Sequence, residues 1–199
     1  NVNTDIYLVD LAGGGGTLLA PHEGEAVYDA ARFDRSGGKI YLVTNANPDG
    51  VARRALLDLG TKAIRFLDTE GPWEVQALDL SPDRRVLGWT VNEDGYTRLN
   101  LWDLERDRAL HAPPMNGLVG GFSFSEAGSV AFDFSSAVST DDVWLWDWKA
   151  PELRKLTHST YAGVDPSRFC APELVRYASF DGVEIPAFLY LPPGYEPGH

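Results

Sequence analysis

Three serines, Ser36, Ser81 and Ser125, could serve as nucleophiles, since a hydroxyl beside a general base can attack a carbonyl carbon. Each follows a strand-like segment and lies in a polar turn. The sequence pairs none of them with a base, and a search for Gly-x-Ser-x-Gly finds no match in the chain. Serine hydroxyls in turns commonly bind backbone groups. We therefore predict capping roles for these serines and no catalytic residue in this chain.

Three histidines, His22, His111 and His158, could bind a metal ion, because neutral imidazole is a common zinc ligand. A zinc site needs three or four converging ligands, and these residues show no ligand spacing such as His-x-x-x-His. The terminal residue, His199, has no sequence context that identifies it as a catalytic histidine. We predict no metal site.

The segment Asn45-x-Asn47-x-Asp49-Gly50 matches the first half of a calcium-binding loop. The twelfth position of such a loop carries a bidentate glutamate, and here that position is Leu56. An Asp-Gly pair between two strands favours a hairpin, which is the structure we predict both here and at Asp94-Gly95.

A run of four glycines at residues 13–16 could suggest a phosphate cradle. A P-loop continues with Lys-Ser/Thr and a helix, and both are missing after this run. The glycines are therefore predicted to link two outer strands, and no bound cofactor is expected.

Composition limits the partners of this chain, which has 199 residues and a formal net charge of −12. Contact with phosphate groups needs clustered Lys and Arg, so neither a nucleic acid nor an anionic membrane surface is an expected partner. The acidic balance serves solubility or, as the alternative, creates a cavity that attracts cationic substrates. Cys170 is the sole cysteine, which suits a reducing compartment, and we expect the cytoplasm.

A repeated sequence pattern determines where the candidate residues lie in the fold. Asp10, Asp58, Asp103 and Asp147 each end a short strand-like segment, and they are 44 to 48 residues apart. Between them lie three aligned segments, residues 33–45, 80–92 and 124–136, that read as a strand end, a polar turn and a second strand.

A period in the mid-forties with about four short strands is typical of a β-propeller blade. We predict an all-β fold, a partial β-propeller of about three and a half four-stranded blades. The blades are placed at residues 27–70, 73–118 and 119–157, and residues 5–19 form the outer half of a preceding blade. Open blade edges leave backbone groups unpaired, so we expect self-association through these edges.

Two Trp-Asp pairs, Trp102-Asp103 and Trp146-Asp147, could indicate WD repeats. WD blades also use a Gly-His pair, and the only one here is Gly198-His199 at the terminus. Trp144, Trp146 and Trp148 alternate along one strand and share a face. We predict that they pack between blades, with a substrate-stacking face as the alternative.

The sequence resembles the prolyl oligopeptidase family of serine peptidases, in particular its acylaminoacyl-peptidase-like branch. The resemblance rests on three features: the Ser81-Pro82-Asp83 turn, the Val143-Trp-Leu-Trp-Asp-Trp148 strand with Arg154-Lys-Leu-Thr157 after it, and the segment from Tyr177 to Gly194. That last segment is similar to the strand pair that leads from the family's propeller into its α/β-hydrolase domain. The implied domains are a partial propeller at 1–160, a linker at 161–174 and a truncated lead-in segment at 175–199.

The resemblance implies that the chain is the substrate-gating propeller part of a serine peptidase that hydrolyses short peptides. The catalytic domain would be absent from this chain, which we expect to be inactive alone. The alternative is a non-catalytic propeller that binds partners or serves as a scaffold, although this leaves residues 175–194 unexplained.

Overall fold

The computed structural model describes residues 3–67, 71–111, 113–192 and 194–196. Their regular secondary structure is almost wholly antiparallel strand, and their one helical element is a 3-10 turn at Pro166–Arg168. Gly198 and His199 lie outside the described residues. The strands are β1 (Tyr7–Val9), β2 (Gly16–Leu18), β3 (Tyr28–Phe33), β4 (Lys39–Thr44), β5 (Arg53–Asp58), β6 (Ile64–Phe66), β7 (Val75–Leu80), β8 (Val86–Glu93), β9 (Tyr96–Asp103), β10 (Arg108–Leu110), β11 (Leu118–Phe124), β12 (Ser129–Ser136), β13 (Ser139–Asp147), β14 (Glu152–Lys155), β15 (Glu173–Ala178) and β16 (Glu184–Leu189).

Three four-stranded sheets form the body of the molecule, and in each the strands pair in chain order. We call them blade 1 (β3–β6), blade 2 (β7–β10) and blade 3 (β11–β14). The preceding pair, β1 and β2, forms a two-stranded sheet that we call the half-blade. The predicted all-β partial propeller is thus confirmed, although Leu118, expected at the end of blade 2, begins blade 3 by pairing with Ser135.

The aligned segments at 33–45, 80–92 and 124–136 all take the predicted form. In each blade the first strand ends, a short polar turn follows, and the second strand pairs antiparallel with the first. The repeat therefore encodes the same hairpin three times.

The two Asp-Gly pairs within the blades form different connections. Asp94 and Gly95 are the two residues between β8 and β9, with φ angles of 51° and 86°. This left-handed geometry at both positions is that of the tight turn that Asp-Gly favours. Asp49 and Gly50 lie instead within the eight-residue loop from β4 to β5, so the predicted hairpin exists there with a longer loop.

Hydrophobic clusters join neighbouring sheets face to face. One contains Leu19, Ala20 and Ala26 together with blade 1 residues, with the half-blade packed against it. A second joins Val43 of blade 1 to β7 and β8 of blade 2. A third joins Leu101 of blade 2 to β11, β12 and β13 of blade 3. The main core therefore lies between the blades, as the stacking of propeller blades requires.

A separate hairpin follows blade 3. Strands β15 and β16 pair along their full length, from Glu173 opposite Leu189 to Ala178 opposite Glu184. Neither strand has a buried side chain. The division into a linker at 161–174 and a lead-in segment from 175 stays a prediction, and β15 begins within that expected linker.

Among the described residues, no helix has the length and apolar character needed to cross a membrane.

Candidate functional site

The blades have two ends, and the residues considered for chemistry are divided between them. We call one end the Ser81 rim, formed by residues 34–38, 81–85, 104–107 and 125–128. The opposite end, formed by residues 45–52, 94–95 and 137–138, is the Asp94 rim. Antiparallel pairing within each blade puts successive turns at alternate ends.

Ser81 closes the turn between β7 and β8. Its buried hydroxyl oxygen accepts hydrogen bonds from the backbone N–H groups of Val86 at 2.9 Å and Arg85 at 3.2 Å, and it donates to the Oδ1 of Asp83 at 2.7 Å. The hydroxyls of Ser36 and Ser125 likewise accept from backbone N–H groups in the equivalent turns. The predicted capping role of the three serines is confirmed.

The repeating aspartates close the turn after β1 and after the third strand of each blade. The Oδ1 atoms of Asp10, Asp58, Asp103 and Asp147 each accept from the backbone N–H two residues later, at 2.8 to 3.0 Å. Burial alone would raise the pKa of Asp103, but hydrogen bonds from the Arg106 side chain and nearby backbone N–H groups outweigh it and lower this pKa. The aspartates that define the repeat therefore act as turn caps.

A cleft of about 510 Å³ lies at the Ser81 rim between blades 2 and 3. Its charged residues bind one another: Arg85 lies 3.1 Å from Glu105, and Arg106 lies 2.8 Å from the buried Asp103. Lys149 donates to a backbone carbonyl at 2.7 Å. The cleft contains no histidine to serve as a base for Ser81, so this arrangement holds the turns together and does not activate a nucleophile.

The three histidines that the structure describes do not assemble a metal site. His22 lies 2.9 Å from Asn3 through Nε2 and 3.8 Å from Asp5 through Nδ1, whereas His111 and His158 are exposed. Over the described ranges, no three His, Cys, Asp or Glu side chains converge on a position that could hold a metal ion.

The Asn45–Asp49 loop also directs its polar atoms inward. Asn45 Oδ1 accepts from the Val27 N–H at 2.7 Å, and Asn47 Nδ2 donates to the Val51 carbonyl at 2.8 Å. Asp49 pairs with the buried Arg53 at 2.6 Å. These bonds stabilise the connection between β4 and β5, as the hairpin interpretation requires.

The alternating tryptophans lie between blades 2 and 3, as predicted. Trp146 is 7% exposed and belongs to the cluster that joins these blades, and Trp144 and Trp148 pack against it. Trp144 meets Phe134 edge to face at 6.4 Å, and Trp148 meets Phe124 at 5.8 Å. The tryptophans therefore contribute packing energy between the blades.

The candidate functional site is a cleft of about 230 Å³ between the Asp94 rim and the β15–β16 hairpin. Aromatic side chains form its walls, with the rings of Tyr96 and Phe188 in contact at a centroid distance of 4.9 Å. Tyr190, Asn116 and Ser135 complete this mixed apolar and polar lining. The cleft lies where the propeller meets the segment that follows it, and nothing in the local sequence pattern predicted it.

A buried aspartate anchors the chain at the end of blade 3. The side chain of Asp142 is fully buried, and its carboxylate accepts from Lys155 at 2.6 Å, Thr157 at 2.9 Å and the Ser159 N–H at 2.8 Å. The Lys155 ammonium and these other donors hold the pKa of Asp142 well below its usual range. This residue too carries no motif that the sequence could have revealed.

No protein-family model matches the chain, and no curated protein matches it in sequence. Solved structures do match. A prolyl endopeptidase studied for inter-domain dynamics in catalysis and specificity aligns with a TM-score of 0.74 at 16% identity, over 98% of this chain. Prolyl oligopeptidase B from Galerina marginata aligns without ligand at 0.76 and 17% identity, over 94% of this chain. A variant of that protein bound to a 25-residue macrocyclization substrate aligns at 0.73 and 18%, again over 94%.

The chain has the fold of the propeller region of prolyl oligopeptidases. It spans only 28%, 28% and 27% of the three matched structures, respectively. At these sequence identities the likeness establishes the fold, and the activity of the whole protein is a matter for proposal.

Proposed function

We propose that this chain is the substrate-gating propeller part of a serine peptidase of the prolyl oligopeptidase family, one that hydrolyses short peptides. The serine nucleophile, its histidine base, the orienting aspartate and the oxyanion hole would come from residues outside this chain. The observation that carries the proposal is the 98% coverage of this chain by the match, which necessarily includes most of the β15–β16 hairpin as well as the blades.

The β15–β16 hairpin favours a propeller that borders a catalytic domain over one that only binds partners. A propeller that only binds partners needs stacked blades and no exposed two-stranded extension. A propeller that borders a catalytic domain needs a connection to it, and β15–β16 leaves the blades at the Asp94 rim beside the aromatic cleft. In this role the blades would form the wall of a cavity that admits short or unfolded peptides and excludes folded proteins.

Peptide hydrolysis tests the proposal. The purified 199-residue chain and the polypeptide encoded by its complete gene would be assayed with chromogenic prolyl and N-acylaminoacyl substrates. We expect hydrolysis by the longer polypeptide, its loss on treatment with diisopropyl fluorophosphate, and no hydrolysis by the chain alone. Activity of the chain that persists after further purification, or inactivity of the longer polypeptide on every substrate, would overturn it.

Self-association through open blade edges is a second part of the proposal. Strand β1 pairs with β2 on one side only within the described residues, and Tyr7 and Val9 expose more than half of their surfaces there. Unpaired strand edges are templates for pairing with another chain. Sedimentation of the isolated chain should show association that increases with concentration, and a stable monomer at high concentration would contradict it.

The cytoplasm is the compartment we propose, since the lone Cys170 permits no intrachain disulfide.

A further inference from the structure

An ion pair joins the β15–β16 hairpin to blade 2. Arg176 of β15 donates to Asp94, the first residue of the tight turn between β8 and β9. Arg176 also lies 3.3 Å from Glu184 on the adjacent strand of its own hairpin. One guanidinium group thus binds a carboxylate of the propeller and a carboxylate of the hairpin.

A ring contact lies beside this ion pair. The Phe188 ring of β16 packs on the Tyr96 ring and covers Gly95, where an added Cβ atom would lie only 2.7 Å from the Phe188 ring. Gly95 also has a φ of 86°, a conformation that glycine adopts without strain. Glycine therefore suits position 95 for two reasons: it adopts the left-handed backbone, and it leaves room for the Phe188 ring.

The rest of the hairpin is weakly held. It has no buried residue, and Tyr177, Phe180 and Val183 expose half or more of their surfaces. An isolated two-stranded hairpin is marginally stable in water. The order of β15–β16 therefore depends on where it touches the propeller.

We propose that Asp94 and Arg176, with Gly95 and Phe188, form a latch that holds the β15–β16 hairpin on the Asp94 rim and opens when the ion pair is broken. Opening would separate the two walls of the aromatic cleft, since Tyr96 belongs to blade 2 and Phe188 to the hairpin. The latch consists of contacts within this chain, and its opening does not depend on the proposed peptidase function.

The two charges of the latch are not equivalent. Asp94 is only 16% exposed in its side chain, and its Oδ1 is shielded from solvent without a hydrogen-bond donor among the described residues. Removing Arg176 leaves this carboxylate shielded and without its cation, which is more costly than losing the attraction alone. Removing the charge of Asp94 leaves a more exposed guanidinium that keeps Glu184. Arg176→Gln should therefore open the latch further than Asp94→Asn.

Hydrogen–deuterium exchange of the 199-residue chain tests the ion pair. We expect the amides of β15 and β16 to exchange up to about fivefold faster in Asp94→Asn, and faster again in Arg176→Gln. Glu184→Gln is the matched control, since it removes the other partner of Arg176 without touching the propeller, and it should leave the latch closed. In the parent, 1 M NaCl should accelerate the exchange of the same amides, because salt screens the ion pair and the Debye length at this concentration is about 3 Å.

The amides of β8 and β9 report whether the blades stay folded. Asn tolerates the left-handed conformation at position 94, so Asp94→Asn should leave blade 2 intact. Parental exchange of the hairpin in Asp94→Asn, or an equal acceleration in Glu184→Gln, would overturn the proposal.

The ring contact provides a second, independent variant. Phe188→Leu keeps an apolar strand residue but removes the ring from Gly95 and Tyr96. We expect faster hairpin exchange without any change in the salt dependence that the intact ion pair confers. Unchanged exchange in this variant would show that Phe188 does not hold the hairpin, contrary to the proposal.

Discussion

The blades and the β15–β16 hairpin use the same local structure but differ in burial. Half of the residues of strands β8 and β12 are buried, whereas β15 and β16 have no buried residue. Even the turns are alike, because the N–H of Ser81 donates to the Val86 carbonyl across one turn and the N–H of Ser179 donates to the Val183 carbonyl across the other. Strand pairing alone therefore does not distinguish a blade from the hairpin.

The difference shows that each blade is stabilised by the next one. Leu101 of blade 2 packs into the same cluster as Val130 of blade 3, and both are almost fully buried. The hairpin has no equivalent neighbour among the described residues, so its order rests on the Asp94 rim. Changes in the blades should therefore alter global stability, and the matching changes in the hairpin should alter it little.

The largest expected effect comes from a leucine between blades. Leu101 is 2% exposed, whereas Leu174 of β15 is 37% exposed. Leu101→Ala should lower the free energy of unfolding by about 2–5 kcal/mol, because it removes buried contacts and leaves a cavity. Leu174→Ala should lower it by about 0.5 kcal/mol or less. Urea denaturation measures both, and similar losses would break the distinction between the regions.

A glycine in blade 2 should give the next largest effect. A Cβ atom at Gly88 would lie 2.7 Å from the Phe124 ring and 2.9 Å from the Phe122 ring. Gly88→Ala should cost about 1–3 kcal/mol by overpacking this contact between blades. Combining it with Phe124→Leu should cost less than the sum of the two single changes.

Gly16 of the half-blade is the matched control for this change, because a Cβ atom there would lie 3.8 Å from Tyr7. Gly16→Ala should leave the urea midpoint unchanged or raise it slightly. A neutral effect of Gly88→Ala would contradict the tight packing of blades 2 and 3.

The paired turn serines should give a smaller effect. Ser81→Ala leaves the N–H of the buried Val86 without its partner, which should cost about 1–2 kcal/mol. Ser179→Ala changes a turn in the hairpin, where water can replace the lost bonds, and should cost a few tenths of a kcal/mol. Thermal unfolding of the two variants gives the comparison, and equal shifts would show that burial does not separate these turns.

Lowering the pH should remove the stabilisation that Asp142 contributes at the end of blade 3. Because the folded-state pKa of Asp142 is depressed, its carboxylate stabilises the fold above its unfolded-state pKa of about 3.9. This contribution is lost as the pH falls through the folded-state value. The difference in the free energy of unfolding between the parent and Asp142→Asn should therefore stay constant from pH 7 to 5 and narrow below about pH 4.

Asp141→Asn is the control for this pH dependence, since Asp141 is exposed and is adjacent in the chain. The difference for Asp142→Asn should narrow more in acid than the difference for this control. If the unfolding free-energy difference for Asp142→Asn stayed constant down to pH 2, this would contradict the role of Asp142 as an anchor.

The sequence predicted the blades because their signals are local and repeated. Each blade returns the same turn chemistry at a fixed spacing, and the repeating Asp closes the same turn each time, as Asp58 and Asp103 show. Alternation along β13 placed Trp146 between blades, because residues two apart share one face of a strand.

The sequence did not predict contacts between distant segments. Asp94 and Arg176 are 82 positions apart, and the local pattern identified Asp94 only as a turn residue. Gly88 gave no sign that it faces the rings of Phe122 and Phe124 across a blade boundary. Asp142 lacks any motif, because its partners come from the strand and the segment that follow it. Such contacts depend on how the sheets stack, which strand periodicity does not specify.

The site of covalent labelling tests the central proposal most directly. The polypeptide encoded by the complete gene would be treated with a fluorophosphonate probe, digested and analysed by mass spectrometry. We expect one labelled serine outside residues 1–199, and no labelling of the isolated chain. A labelled serine within the blades, such as Ser81 or Ser125, or a longer polypeptide that takes up no probe, would contradict the proposal that this chain gates a serine peptidase.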